Sequence, residues 1–168
     1  KRGLSVKWYI LGYGDRETQI REAIQAVHME DFVVLLGKKE NPYPYIRMCD
    51  IYVQPSVYEG KCVAVQEAQL LGKPVIITDF STAHSQLRDG TDGIIAPLDF
   101  DGFTDALAAL IQDNEKQEAL KAACRSTDFT QYKEAEKILR FAEGRESYAE
   151  DQRHCADLQR RKISRAVR

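Results

Sequence analysis

Two glutamates, Glu59 and Glu67, stand on either side of the predicted start of a helix. Glu59 lies in the polar loop 58–61, and Glu67 lies within the helix that the pattern of residues 63–71 predicts. An ionised carboxylate only accepts hydrogen bonds, so it suits the hydroxyl groups of a ligand and is a poor partner for phosphates. We therefore expect a ligand that offers hydroxyl groups at two separate places.

Between these carboxylates, the backbone of residues 61–64 supplies the first N–H groups of the helix. Such N–H groups have no acceptor within the helix, and together with the helix dipole they favour an anion, most commonly a phosphate. A ligand that carries hydroxyls, then phosphates, then hydroxyls again fits this order of groups. The spacing thus indicates a nucleotide-diphosphate sugar.

The flanking sequence predicts one βαβ unit that holds the two glutamates in place. Residues 51–53 form an apolar strand, the helix stops before Gly72 and Pro74, and residues 75–77 form a second buried strand. The loop between such a strand and its helix lies at the carboxyl edge of a parallel sheet, where open α/β folds bind ligands.

The rest of the chain repeats the alternation of strand and helix. Further strands are predicted at 6–11, 32–36 and 94–96, and apolar stripes predict helices within 20–27, 103–111 and 115–124. This order indicates an α/β fold with a doubly wound parallel sheet. We place a nucleotide-sugar-binding domain at 1–126 and a helical, charged tail at 127–168.

Local signals predict where individual elements begin and end. Asp15 is a candidate N-cap for the first helix, and Ser81 or Thr82 is a candidate cap for a short helix that reaches Arg88. Residues 38–44 contain two prolines and are predicted to form a loop that excludes regular helix.

Several short motifs of the central unit occur together in a known family. They are Pro55-Ser56, Glu59-Gly60, Glu67-Ala68 and Gly72-Lys73-Pro74-Val75. With them, the chain resembles the family 4 (group 1) glycosyltransferases of the GT-B fold over about residues 9–111. Lys61-Cys62 stands where the family usually has Phe-Gly, and Phe80-Ser81-Thr82 replaces a common Gly-Gly pair. Both changes look like those of members that assemble polysaccharides.

The resemblance implies the Rossmann-like C-terminal, donor-binding half of a GT-B enzyme that transfers a sugar with retention at the anomeric carbon. Glu59 is the implied catalytic residue, which stabilises positive charge on the donor sugar, and Glu67 is implied to bind the ribose hydroxyls. The remaining implied donor-binding residues are Gly60, Lys61, Cys62, Val63, Ala64 and, near the nucleobase, Lys38.

The resemblance also implies partners. No metal or other cofactor is expected, because the helix dipole and basic side chains carry the charge of the leaving group. The donor is a nucleotide sugar and the acceptor a glycan or a lipid-linked glycan. The family's domain begins with one more strand and helix, and an N-terminal acceptor domain precedes it. Neither is found in these residues, so we expect the chain to be inactive alone.

Composition excludes other classes of function. The net charge of −2 argues against a dedicated nucleic-acid binder. The four cysteines are scattered without a C-x-x-C pair, and the three histidines are scattered too, which argues against a zinc site and favours a reducing, cytoplasmic location. No apolar run approaches the roughly 20 residues that span a bilayer.

The sequence is compatible with two interpretations of its basic tail and with two alternative functions. After residue 152 the tail is basic, with Arg153, Arg160, Arg161, Lys162, Arg165 and Arg168 against Asp157 alone. It is either a solvated helix or a segment that touches an anionic membrane surface or a partner. The alternative functions are a sugar-nucleotide epimerase of the same fold and a non-catalytic nucleotide-binding module.

Overall fold

A computed structural model of the chain describes residues 3–127 and 135–143. The chain divides into two compact units, Lys1–Pro42 and Tyr43–Arg168. The division falls within the predicted domain 1–126. The predicted boundary between residues 126 and 127 stays a prediction.

The first unit is a single βαβ motif. Strand β1 (Trp8–Leu11) pairs in parallel with β2 (Val33–Gly37), and helix α1 (Glu17–Ala26) connects them. Gly37 ends β2 with φ of +70°, a left-handed conformation that glycine adopts without a steric penalty. Every residue of β2 is half-buried, so this strand is less covered than its continuous apolar run predicts.

The second unit contains a three-stranded parallel sheet with the strand order β3-β4-β5. In chain order its elements are α2 (Tyr43–Met48), β3 (Tyr52–Gln54), α3 (Val63–Leu70), β4 (Val75–Thr78), β5 (Ile94–Ala96), α4 (Phe100–Gln112), α5 (Asn114–Ser126) and α6 (Ala135–Ala142). A single turn of 3-10 helix, Ala83–Ser85, lies between β4 and β5.

Strand β4 is at the centre of this sheet and is fully buried. Because its side chains alternate between the two faces, Val75 and Ile77 pack with Val65 and Ala68 of α3 on one face. On the other face, Ile76 packs in a second cluster with residues of β5, α4 and α5. Helices therefore cover both faces, and the α/β class with parallel strands that the sequence predicts is confirmed.

Three local predictions are wrong for identifiable reasons. Helix α2 begins at Tyr43 and contains Pro44, because a proline in the first turn of a helix lacks only an N–H that has no intrahelical acceptor anyway. Asp15 does not cap α1, whose N-cap is Arg16. Thr82 precedes the 3-10 turn without capping it, because its hydroxyl bonds to the loop after β3 instead.

Helix α6 packs against α2 in the second unit. Its Ile138 side chain is buried, with 7% of the residue exposed. Arg47 of α2 donates from Nη1 to the carbonyl oxygen of Ala142 at 2.9 Å. The basic residues that follow position 152 lie outside the described part of the chain, so the choice between a solvated helix and a membrane or partner contact stays open. None of the helices described here has the length and apolar character required to cross a membrane.

Candidate functional site

The loop after β3 carries Glu59 at the carboxyl edge of the sheet, as predicted, and neighbouring side chains hold its carboxylate. Ser56 Oγ donates to Glu59 Oε1 at 2.7 Å, and Gln54 Nε2 donates to the same oxygen at 3.0 Å. Within the described residues, both hydrogen bonds to this half-buried carboxylate end on Oε1. Oε2 is therefore the oxygen that can accept a hydrogen bond from a ligand hydroxyl.

The orientation of the Gln54 amide is itself fixed. Tyr52 donates from its hydroxyl to Gln54 Oε1 at 2.8 Å, which turns Nε2 towards Ser56 and Glu59. Burial raises the pKa of the Tyr52 phenol, and the nearby Cys62 and Glu67 add to this shift, so the hydroxyl stays protonated and remains a donor. The Glu59 carboxylate thus ends a chain of hydrogen bonds that starts in β3.

Glu67 lies on α3, on the other side of the helix entrance, and it also has a partner. Tyr43 of α2 donates from its hydroxyl to Glu67 Oε1 at 3.1 Å. Tyr43 lies in the first turn of α2, where the sequence predicted a loop, and it is 24 residues away along the chain. Both glutamates are half-buried, so each is accessible and yet restrained.

The N-terminus of α3 lies between the two glutamates. Cys62 is its N-cap residue, but its side chain makes no capping hydrogen bond. The N–H groups of Val63 and Ala64 open the helix and have no intrahelical acceptors. Of the predicted N–H donors, that of Cys62 is already used, because it donates to Gln86 Oε1 at 3.0 Å. The N–H of Cys62 is therefore not available to an anion, which leaves fewer backbone donors than the sequence predicts.

The Cys62 thiol is a structural group and not an activated nucleophile. The residue is buried, and burial raises the pKa of its thiol, while the nearby backbone N–H groups of Val65 and Ala64 offset only part of this shift. A raised pKa lowers the thiolate fraction at neutral pH. Lys61, immediately before it, is exposed at the helix entrance.

Lys38 belongs to the first unit, whereas the other predicted site residues belong to the second. It follows β2 and is exposed, with Nζ 5.1 Å from the centroid of the Tyr13 ring. Tyr13 follows β1 and is 74% exposed. A cation and an aromatic ring therefore lie together at the carboxyl edge of the two-stranded sheet, an arrangement that sequence analysis did not predict.

Two further polar groups lie beyond the end of β4. His84 Nε2 is 3.3 Å from Asp79 Oδ1, and both side chains are exposed. His84 is therefore a surface histidine. Within residues 3–127 and 135–143, no group of three or more histidine, cysteine, aspartate or glutamate side chains is arranged to hold a metal ion.

Sequence reasoning missed five side chains that hold the loop and the two glutamates: Tyr43, Gln54, Ser56, Thr82 and Gln86. A polar residue at the carboxyl end of a predicted strand is a usable signal for Gln54 and Ser56. No local signal identifies the other three, because their partners are 22 to 26 residues away in sequence.

Known proteins resemble this chain in sequence. The amylovoran biosynthesis glycosyltransferase AmsK of Erwinia amylovora is 34% identical over 119 residues, which cover 66% of this chain and 28% of that protein. A second relative, from Campylobacter jejuni, is 27% identical over 143 residues, which cover 83% of this chain and 39% of that protein. It is the N-acetylgalactosamine-N,N'-diacetylbacillosaminyl-diphospho-undecaprenol 4-alpha-N-acetylgalactosaminyltransferase. The chain thus spans less than half of the length of each of these two relatives.

Solved structures show the same fold. HepE of Anabaena, in complex with UDP, has a TM-score of 0.66 at 18% identity over 82% of this chain and 39% of its own. TarM of S. aureus has a TM-score of 0.70 at 22% identity over 83% of this chain and 28% of its own. Both are GT-B glycosyltransferases, which agrees with the Rossmann-like arrangement described above. Residues 1–127 match the family profile described as glycosyl transferases group 1. The chain therefore belongs to the group 1 glycosyltransferase family.

Proposed function

We propose that this chain is the C-terminal, donor-binding part of a family 4 glycosyltransferase. It binds a nucleotide-diphosphate sugar and takes part in transferring the sugar, with retention, to a glycan or lipid-linked acceptor of a polysaccharide or glycoconjugate. The observation that carries this proposal is the pair of restrained glutamates on either side of the α3 N-terminus. The names of the relatives, which include amylovoran biosynthesis and a diphospho-undecaprenol acceptor, support the class of product.

Each part of the donor has a matching group at this site. The ribose hydroxyls donate to the half-buried Glu67, whose Oε1 also accepts from Tyr43. The diphosphate lies against the N–H groups of Val63 and Ala64, where the helix dipole favours negative charge. The donor sugar lies against the loop, with a hydroxyl bonded to Glu59 Oε2.

The transfer step requires charge stabilisation at two points. As the bond to the diphosphate breaks, positive charge develops on the sugar ring, and the fixed Glu59 carboxylate stabilises it. The α3 N-terminus and Lys61 stabilise the negative charge of the departing diphosphate. In this proposal the reaction uses no resident metal ion or other cofactor.

We also propose roles for Lys38, for an acceptor-binding domain and for the basic tail. The role of Lys38, beside Tyr13 in the first unit, as a nucleobase contact stays a prediction. An N-terminal domain outside these residues binds the acceptor, and the chain is inactive without it. The enzyme works in the cytoplasm, and the basic residues after position 152 are either solvated or contact an anionic membrane surface.

Replacing Glu67 with alanine is expected to weaken nucleotide binding by about 10- to 100-fold, because hydrogen bonds to a charged group contribute about 1.5–3 kcal/mol. Calorimetric titration of the chain with UDP, GDP and ADP measures this change and identifies the base. Glu22→Ala is the matched control, since Glu22 is exposed in the middle of α1. Wild-type affinity in Glu67→Ala would contradict the proposed ribose contact, and the absence of binding to any nucleotide would contradict the donor site.

Replacing Tyr43 with phenylalanine is expected to weaken nucleotide binding by about threefold to tenfold. The substitution removes the hydroxyl that orients Glu67 Oε1 and leaves the ring of α2 in place. The same titration measures the effect, with Tyr9→Phe in β1 as the control. An unchanged affinity would show that Glu67 needs no orientation by Tyr43.

A further inference from the structure

The loop between β3 and α3 has an unusual helix start, because its N-cap residue is a cysteine. Cys62 makes no side-chain capping bond. In a capping box, the residue at the third helical position accepts a hydrogen bond from the N–H of the N-cap residue, but Val65 occupies that position here and has no acceptor. The entrance to α3 therefore depends on a residue from another segment.

Gln86, which follows the 3-10 turn, supplies the missing acceptor. Its Oε1 accepts from the N–H of Cys62 at 3.0 Å, and its Nε2 donates to the carbonyl oxygen of Gly60 at 3.0 Å. One planar amide thus binds two backbone groups on either side of Lys61. This pair of bonds fixes the backbone conformation of the loop where it enters the helix.

Thr82 extends the same contact towards Glu59. Its hydroxyl lies 2.9 Å from the carbonyl oxygen of Glu59 and 2.7 Å from that of Gly60, and it shares its single proton between them. Gln86 Nε2 also lies 3.3 Å from Thr82 Oγ1. The backbone of residues 59–62 is therefore held at three points by two side chains from the segment after β4. We call Thr82 and Gln86 the loop clamp.

We propose that Gln86 is a positioning residue of the donor site, an inference that rests on the proposed function. Through the loop clamp it fixes the Glu59 carboxylate relative to the N–H groups of Val63 and Ala64. The sugar can then contact Glu59 while the diphosphate contacts these N–H groups. It also occupies the N–H of Cys62, so the diphosphate is bound by the N–H groups further into the helix. Glu67 is held separately by Tyr43 and does not depend on the clamp.

This arrangement predicts a selective effect of Gln86→Met, which keeps the length of the side chain and removes both hydrogen bonds. We expect affinity for the nucleoside diphosphate that the wild-type chain binds to fall by about 5- to 20-fold, from the loss of about one to two hydrogen bonds. Affinity for the corresponding nucleoside, which reaches Glu67 but not the helix entrance, is expected to change by less than about twofold. Gln112→Met, at the exposed end of α4, is the control.

A second variant, Gln86→Glu, tests the two hydrogen bonds directly and keeps the shape of the side chain. An ionised carboxylate can accept from Cys62 but cannot donate to Gly60, whereas a protonated carboxyl group can do both. The affinity of the variant for the nucleoside diphosphate, divided by that of the wild type, is therefore expected to rise towards one as the pH is lowered. The relevant range runs from about 8 down towards the carboxyl pKa, which is about 4.3 for a free glutamate. Measuring the ratio cancels titration of the ligand and of the other carboxylates.

The outcomes separate the inference from the function on which it rests. A selective loss for the diphosphate in Gln86→Met, with rescue of Gln86→Glu at low pH, supports the positioning role. Unchanged binding overturns it, and so does tighter binding, which would show that Gln86 competes with the ligand for Cys62. Equal losses for nucleoside and diphosphate overturn it as well, since they indicate only a structural role. If the wild-type chain binds no nucleotide, the proposed function fails, and this inference fails with it.

Discussion

Glu59→Gln is expected to lower the rate of sugar transfer by about 10²- to 10³-fold in the enzyme that contains this chain, while donor affinity changes much less. A glutamine oxygen can still accept from Ser56 and Gln54, so the substitution preserves the hydrogen bonds that hold the side chain. What it removes is the negative charge that stabilises the positive sugar ring. That interaction grows as the bond to the diphosphate breaks, and it therefore acts on turnover more than on binding.

The measurement is transfer of labelled sugar from the nucleotide sugar that binds best, with the concentrations of donor and acceptor varied to separate kcat from KM. Glu22→Gln in α1 removes an equal charge far along the sequence and is expected to leave kcat unchanged. Product analysis also decides between transfer and epimerisation. A Glu59→Gln enzyme with wild-type kcat would remove Glu59 from the mechanism.

Ile76→Ala is expected to destabilise the second unit by about 2–5 kcal/mol, the largest effect on stability that we predict. Ile76 is fully buried in β4, and its side chain packs with Phe103 and Leu110 of α4 and Leu120 of α5. Truncation removes buried apolar contacts and leaves a cavity, because the surrounding strands and helices cannot close over it completely.

Urea unfolding, followed by far-ultraviolet circular dichroism, measures this loss of stability. Val57→Ala is the matched control, since Val57 is 78% exposed in the loop after β3 and contributes little buried area. We expect the control to change the free energy of unfolding by less than about 0.5 kcal/mol. A loss below about 1 kcal/mol for Ile76→Ala would contradict the central position of β4 in the core.

The order and type of the elements around the site could be predicted from the sequence because the signals are local. An apolar run, a polar loop and a helix that stops at glycine and proline predicted β3, α3 and β4 to within about two residues. Glu59 and Glu67 were placed on either side of the helix entrance by the same reasoning. The prediction for residues 38–44 was wrong because proline ends a helix when it lies in the interior, but fits at its start, where α2 has Pro44.

The side chains that restrain the site could not be predicted in this way. Helix and strand patterns arise from contacts within a few residues, so they fix the backbone of each element and the face that it buries. Which side chain then meets Glu67, or the N–H of Cys62, depends on how β4 and α2 lie beside that loop. Tyr43 and Gln86 are each 24 residues from these partners.

The sequence by itself therefore determined the α/β alternation, the position of the central βαβ unit and the two carboxylates at its helix entrance. Only the tertiary structure decided which of the predicted N–H donors remain available, and which side chains orient the carboxylates. The reason is that hydrogen bonds between distant segments form only after the parallel strands have brought their carboxyl ends to one edge of the sheet.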